Sequence, residues 1–345
     1  MPRFTGDELR DVSARILRAL GVSEGDAELV SRLLVEANLR GVDSHGVMRL
    51  PEYAELIRQG AIKLGTKIEV VRDSPTTALI NGNWGLGQII GTRAMEIAVA
   101  KARSSGMGSV GIFNCNHIGT LAHYAMMALD YDMIGFVACN SAPGVVPYGG
   151  TSPELGTNPF AFAIPAGEEK PVVLDIATSI VAEGKVRLKM KRGESIPPGW
   201  IVDSKGNPST DPAALYAGGA LLPFGEYKGY GLGLVVDILS GALTEAGCGH
   251  NLRGIATQGV FMMALDVGSF TSVEAFKERV DNLIRAVRSS PKASGSLGVF
   301  VPGELEFKEE ERRRREGLFI EDETWRSIRK LMDEPDIPPN SFVKG

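Results

Sequence analysis

Between residues 87 and 114 three patterns follow one another in an order that a dinucleotide fingerprint does not use. GQIIGTRAMEIAVAKARSSG (87–106) carries apolar residues at helical spacing, and SVGIFN (109–114) reads as a strand. The glycine set Gly106-Met-Gly108-Ser-Val-Gly111 sits at their junction. A dinucleotide fingerprint needs strand, then glycines, then helix, so that the pyrophosphate meets a helix N-terminus. Here the order is reversed, and the glycines read as a helix stop and a strand start. Two other glycine sets fail similarly. GNWGLGQIIG (82–91) has an extra residue before its last glycine, and GYGLGLVVDILSG (229–241) follows a loop. A nucleotide bound by this chain would not use the ordinary Rossmann device.

Around this segment the chain reads as α/β. The first 60 residues are helical: Thr5 caps one helix with Glu8 three residues on and Gly21 as its stop, and Ser23 and Gly41 bound a second. Pro51 fits only a first turn, so a third helix begins close to it. From about 66 the periodicity alternates. Strands are predicted at 66–73, 76–82, 133–140, 158–165, 171–178 and 259–268, and a final strand with a turn at 297–304. Helices are predicted at 119–132, 229–247, 271–290 and 309–334. Residues 184–225, rich in Gly, Pro and polar side chains, read as a long excursion of the kind found at active sites or dimer contacts.

Composition narrows the function classes. At 345 residues and 43% hydrophobic content the chain buries a large core. A net charge of −5 argues against a nucleic-acid partner held by bulk charge, and the run ERRRRE (311–316) reads as a solvated helix face. No stretch reaches the roughly 18 apolar residues of a membrane span, and the first residues lack the apolar core of a signal peptide. Cys115, Cys139 and Cys248 form no metal pattern and no CxxC pair. The expectation is a reduced, cytoplasmic protein with no metal site, no membrane contact and no nucleic acid.

Chemistry concentrates in DSHGVMR, Asp43 to Arg49. An imidazole takes or gives an alcohol proton near working pH, and a guanidinium grips a carboxylate through two parallel hydrogen bonds. His45 and Arg49, with Ser44 beside the histidine, supply both at a helix entrance; a capped turn with a solvated arginine would use the same residues. NCNHIGTLAHYA adds His117 at the carboxyl end of a strand, where ligands bind in α/β sheets, or as a helix cap. His123 reads as a packed surface residue and His250 as a turn residue. Weaker signals are Asp175 with Thr178 and Ser179, suited to ribose hydroxyls, and Lys228, suited to a phosphate or the substrate. The basic run Arg187, Lys189, Lys191 and Arg192 suits a 2′-phosphate or plain solvation.

Taken in order, DSHGVMRLPEY, NHIGTLAHYA, GTNPFAFAIP, LDIATS, IPPGWIVDSKGNPSTDP, EYKGYGLGL and VPGE resemble the malate/L-lactate/ureidoglycolate dehydrogenase family, over nearly the whole chain. The resemblance implies a non-Rossmann mixed-sheet α/β fold that binds NAD or NADP, with N- and C-terminal helical segments. It implies an N-terminal helical segment 1–75 carrying His45 and Arg49, a central cofactor-binding region 76–304, and a C-terminal segment 305–345 packing back. It implies homodimers or assemblies of dimers and a small carboxylate substrate. By motif, His45 and His117 resemble the catalytic histidines, and Ser44 and Arg49 the substrate contacts. Asn140, Asp175, Ile176, Ala177, Lys228, Pro302, Gly303 and Glu304 resemble cofactor contacts; some relatives carry lysine in place of Asn140. The implied reaction is hydride transfer between NAD(P) and C2 of a malate-, lactate-, sulfolactate- or ureidoglycolate-like acid. Reduction of a cyclic imino acid is the alternative, and a non-catalytic ligand-binding protein the remote one.

Overall fold

The computed structural model describes residues 2–65, 67–254 and 256–333. The helical start is built as its caps require. β1 (Arg3–Phe4) leads into α1 (Gly6–Ala19), where Thr5 and Glu8 form a reciprocal capping box. In α2 (Glu24–Leu39) the Ser23 hydroxyl accepts from the Asp26 amide. Two single-turn helices, Asp43–His45 and Val47–Arg49, then run into α3 (Leu50–Arg58), with Pro51 in its first turn.

The sheet region follows. It comprises β2 (Glu69–Asp73), β3 (Thr77–Asn81), α4 (Gly87–Ser105), β4 (Met107–Asn116), α5 (Leu121–Met127), β5 (Met133–Cys139), β6 (Phe160–Ile164) and β7 (Val172–Ile176). The chain continues through α6 (Glu183–Lys191), β8 (Ile201–Val202), β9 (Pro208–Ser209), α7 (Ala213–Tyr216), β10 (Ala220–Leu221) and α8 (Tyr227–Asp237). It ends with β11 (Thr257–Asp266), α9 (Val273–Arg288), α10 (Glu304–Glu316), β12 (Leu318–Phe319) and α11 (Asp322–Met332). Seven strands form one mixed sheet in the order β2-β3-β4-β11-β5-β6-β7, in which only β3 and β4 run parallel. That is no doubly wound Rossmann sheet.

The glycine set of 106–111 does what its order dictates. Gly106 closes α4 in the left-handed region (φ 79°). A Cβ on Gly108 would lie 2.1 Å from the Ala98 carbonyl oxygen, so glycine there lets α4 lie directly on β4.

Two large cores lie among the described residues. Ile90, Met95, Ile112, Tyr124, Val137 and Met262 belong to the core on the sheet. Leu9, Ile16, Leu34, Tyr53, Leu318 and Ile328 belong to a second, in which the C-terminal helices close over the N-terminal ones. Among the described residues no helix is long and apolar enough to cross a membrane.

In residues 184–225, α6, α7 and a three-stranded sheet (β10-β8-β9) enclose a small core of Val145, Val186, Ile196, Ile201 and Leu221. Three expectations need correction. The apolar helix of 229–247 stops at Asp237, gives way to a wide π turn over Ile238–Ala242 and does not resume, and the Thr244 hydroxyl bonds back to the Ser240 carbonyl. The segment 297–304 forms no strand; Ser296 and Gly298 bond each other locally, and Pro302 takes one bond from the Val173 amide of β7 but has no N–H to return. The closing helix is two helices, because Gly317 (φ 86°) turns the chain so that β12 pairs with β1 before α11 begins.

Candidate active site

The loop of Asp43–Arg49 is tied down from three sides. The buried Asn38 at the end of α2 donates to Asp43 Oδ1 (2.6 Å) and accepts from the Val47 amide (2.9 Å). Arg313 of α10 forks onto both Asp43 oxygens (2.7 and 3.0 Å) and donates to the Asn38 carbonyl (2.7 Å). Arg313 therefore lies in a polar seam between helices, not on the solvated face that ERRRRE suggests. Within the loop the Ser44 hydroxyl bonds His45 Nδ1 (2.9 Å). Arg49 Nε donates to the Ser44 carbonyl (2.8 Å) and Nη1 to Glu52 (2.7 Å).

His117 arrives from the other side of the fold, directly after β4. Its ring stacks on that of His45, with centroids 5.4 Å apart and planes at 25°. Tyr53 of α3 bonds His117 Nδ1 (2.7 Å), and Gln88 of α4 donates to the same Tyr53 oxygen (2.7 Å). Gln258 of β11 accepts from the Ile118 amide (2.9 Å) and so fixes the turn carrying His117. Three elements distant in sequence thus aim one imidazole, with Nδ1 occupied. His117 caps no helix; α5 begins after Thr120.

Burial, and then the Arg49 charge, push His45 down to about 4 and His117 well below the ordinary histidine range. Both rings are neutral at pH 7. Burial drives the Tyr53 hydroxyl upward, so it stays protonated.

A cleft of about 490 Å³ opens beside these groups, lined by Arg49, Glu52, His117, Ser141, Thr157, Glu183, Tyr216 and Gln258 together with apolar residues such as Pro143, Leu215 and Leu221. His45 faces a separate narrow crevice under Gln88, Gly119 and Thr120.

The residues expected at a cofactor divide into two groups. Asp175, at the end of β7, gives one carboxylate oxygen to the Ala122 amide (2.8 Å). It keeps an open side to solvent, yet the dense protein around it pushes the carboxyl up to about 6. Ile176 is exposed and Ala177 half-buried beside it. Close packing of Gly229 on Thr178 brings Lys228 near this strand end, because a Cβ on Gly229 would meet the Thr178 carbonyl oxygen at 2.8 Å. Lys228 itself is exposed, against the Tyr227 ring. An exposed acceptor, an apolar surface and a cation suit a ribose, a base and a phosphate, so this part fits a dinucleotide.

The second group is engaged elsewhere. Asn140 is fully buried; its amide donates to Asp237 (2.7 Å) and the Gly247 carbonyl (2.9 Å), and its oxygen accepts from the Gly259 amide (2.8 Å). Pro302 accepts from the Val173 amide (3.0 Å), Gly303 packs on Val173, and Glu304 pairs with Arg288 and Lys308. In the basic run, Arg187 pairs with Glu183, Lys189 with Glu194 and Arg192 with Glu321, while the Lys191 side chain lies outside the described residues. His123 is mostly buried against Glu36 (3.2 Å), and His250 is an exposed turn residue on the Pro153 carbonyl (3.1 Å).

Known proteins share this fold. A family model described as malate/L-lactate dehydrogenase matches residues 4–329. The chain belongs to that family. It is 38% identical over 337 residues to a malate/(S)-sulfolactate dehydrogenase of Methanothermus fervidus, covering 96% of this chain and 97% of the relative. It is 41% identical over 343 residues to a malate dehydrogenase of Pyrococcus horikoshii, covering 96% and 93%. The solved sulfolactate dehydrogenase of Methanocaldococcus jannaschii superposes with a TM-score of 0.92 at 34% identity, over 99% of this chain and all of that one (100%). This member of a dehydrogenase family carries Arg49 and His117 at one cleft, with His45 stacked on His117 and facing the crevice beside it.

The motif reading passed over the supports of that cleft. Glu52 and Tyr53 lie three and four residues after Arg49, one helical turn on, and that spacing was a usable signal. Gln88, Gln258, Glu183 and Tyr216 are brought in by tertiary packing alone, and no local pattern marks them.

Proposed function

We propose that this protein transfers hydride between NAD or NADP and C2 of a small 2-hydroxy or 2-oxo acid. The observation that carries the reading is the convergence of Arg49 and the Tyr53-anchored His117 on one cleft, with His45 stacked behind. Bound at Asp175, Ile176 and Lys228, the nicotinamide cofactor supplies the hydride chemistry. The protein's own groups do the rest. Arg49 keeps Nη2 for the substrate carboxylate while Ser44 and Glu52 hold the rest of its fork. The Tyr53 oxygen accepts from Gln88, and its bond to His117 Nδ1 follows the tautomer: the hydroxyl donates when Nδ1 is unprotonated, and Nδ1–H donates when Nε2 is. With Nε2 unprotonated, its lone pair takes the C2 hydroxyl proton during oxidation and returns it during reduction.

Arg49 couples binding to proton transfer. Its charge helps hold His117 in the neutral form. A substrate carboxylate on Arg49 offsets that charge and raises the affinity of His117 for a proton as the reaction begins. His45, low for the same reasons, supports the stack and faces the crevice beside the cleft.

The exposed apolar face of Leu234, Val235, Ile238 and Leu243, on α8 and the turn after it, supports a homodimer. Val235→Asp should then shift the sedimenting species towards monomer. We place the protein in the cytoplasm, where the unpaired Cys115, Cys139 and Cys248 stay reduced. The direct test of the reaction is a kinetic panel of 2-oxo acids and cyclic imino acids with NADH and NADPH. Turnover of 2-oxo acids is expected. Turnover of imino acids alone would move the reading to C=N reduction, and no turnover at all would overturn it.

A further inference from the structure

Arg49 is the only cation lining the cleft among the described residues, and Glu52 already shares it. The wall opposite the histidines in sequence, built by α6 and α7, adds a carboxylate and no positive charge: Glu183 and Tyr216 stand there beside Leu215, Gly219 and Leu221. Behind that wall Arg187 lies one turn along α6 from Glu183. Its guanidinium is forked onto Glu183, with Nε on Oε1 (3.1 Å) and Nη2 on Oε2 (2.7 Å). The Tyr216 hydroxyl also donates to Glu183 Oε1. Burial and then the Glu183 carboxylate push that hydroxyl up to about 12, so it remains a donor. α6 itself is seated against the histidine loop, since a Cβ on Gly184 would lie 3.5 Å from Ser44 Cβ.

We propose that the Glu183–Arg187 pair is the specificity device of the cleft, selecting monoanionic 2-oxo or 2-hydroxy acids with an uncharged far end and rejecting those with a second acid group. This rests on the 2-oxo-acid reading above. One carboxylate has Arg49 to meet. A second would lie against apolar side chains and the Glu183 carboxylate, losing its water without gaining a cation. Glu183 holds the Arg187 guanidinium in a bidentate grip, which is the geometry that would otherwise bind the second acid. The selectivity thus differs from what the names of the malate and sulfolactate relatives suggest, since both of those compounds carry two acid groups.

The test compares two probes that differ at the far end, 2-oxobutanoate (methyl) and oxaloacetate (carboxylate), through the ratio of their kcat/KM values. That ratio cancels any loss of folded enzyme. Wild type should favour 2-oxobutanoate by at least about tenfold. Glu183→Gln keeps the shape and releases Arg187, so the ratio should shift at least about tenfold towards oxaloacetate. Arg187→Met leaves the Glu183 charge without a cation, held only by the Tyr216 hydroxyl, so it should shift the ratio the opposite way. A wild type that prefers oxaloacetate, or two variants that move the ratio in the same direction or not at all, overturns the proposal while leaving the 2-oxo-acid reading intact. Absence of turnover with both probes and with the wider panel overturns that reading and this proposal together.

Discussion

The cleft has two walls built on different principles. The histidine wall is assembled from α2, α3, α4, β4, β11 and α10, and its polar groups are chained: Gln88 to Tyr53 to His117, and Arg313 to Asp43 to Asn38 to the Val47 amide. Those links are short and, at Gln88–Tyr53 and Asn38–Val47, buried, which holds each residue in place. The α6–α7 wall stands on a small core of its own, and its charged groups are partly open to water. A chemistry-bearing group needs fixed geometry, whereas a selecting surface needs only the right charge and shape. The first wall should answer substitution in kcat, and the second in the choice of substrate.

The largest effect tests that division at its strongest point. His117→Asn should lower kcat by on the order of 10²-fold or more for every accepted acid, with cofactor Kd little changed; equal kcat in a stopped assay with saturating substrate would remove His117 from the chemistry. Arg49→Lys comes next. It keeps the charge and loses the planar fork, so kcat/KM should fall at least about tenfold. An analogue with an amide in place of the carboxylate should be a poor substrate for wild type and discriminate less against the variant.

Arg313→Ala sharpens the comparison, because Arg313 touches neither cleft nor substrate. Its loss frees Asp43 and the loop behind His45, so kcat should fall severalfold while KM moves less; the same measurement on Tyr216→Phe should show the reverse split. An unchanged kcat for Arg313→Ala would mean that Asn38 alone suffices to hold the loop.

The smallest effects are pH shifts. Folded His45 and His117 bind protons less readily than in the unfolded chain. Their stabilising contribution is present above the ordinary histidine value of 6.5 and is lost as pH falls through that value towards about 4, because only the unfolded state takes up the protons there. Replacing His45 by Asn should therefore flatten the acid side of a Tm-against-pH curve. In kinetics, the group seen in kcat for oxidation should titrate higher than the one seen in kcat/KM, since substrate offsets Arg49. Arg49→Gln should narrow that gap.

The histidine wall was also the more legible in sequence. His45, Arg49 and Ser44 share seven residues, His117 follows a clear strand, and the helix caps at Thr5 and Ser23 stand where local pattern places them. The reversed order at Gly106–Gly111 already excluded a fingerprint, and the contact of Gly108 with α4 gives the physical reason. What sequence did not show is contact across long separations. Asp43 meets Arg313 through a helix 270 residues away, and a charged run alone does not reveal that one arginine turns inward. Asn140 was marked by its position at a strand end, but its buried bonds to Asp237 and Gly259 engage every polar group of its side chain. The second wall was read as a polar excursion because strands of two residues and a four-residue helix leave no periodicity to detect.

The most direct test is a crystal structure of the enzyme with reduced cofactor and oxamate, a non-reacting 2-oxo-acid mimic. The account predicts the oxamate carboxylate on the Arg49 guanidinium and its carbonyl oxygen within about 3 Å of His117 Nε2, with His117 Nδ1 still on Tyr53. Oxamate bound away from Arg49, or with its carbonyl oxygen out of reach of both histidines, would contradict it.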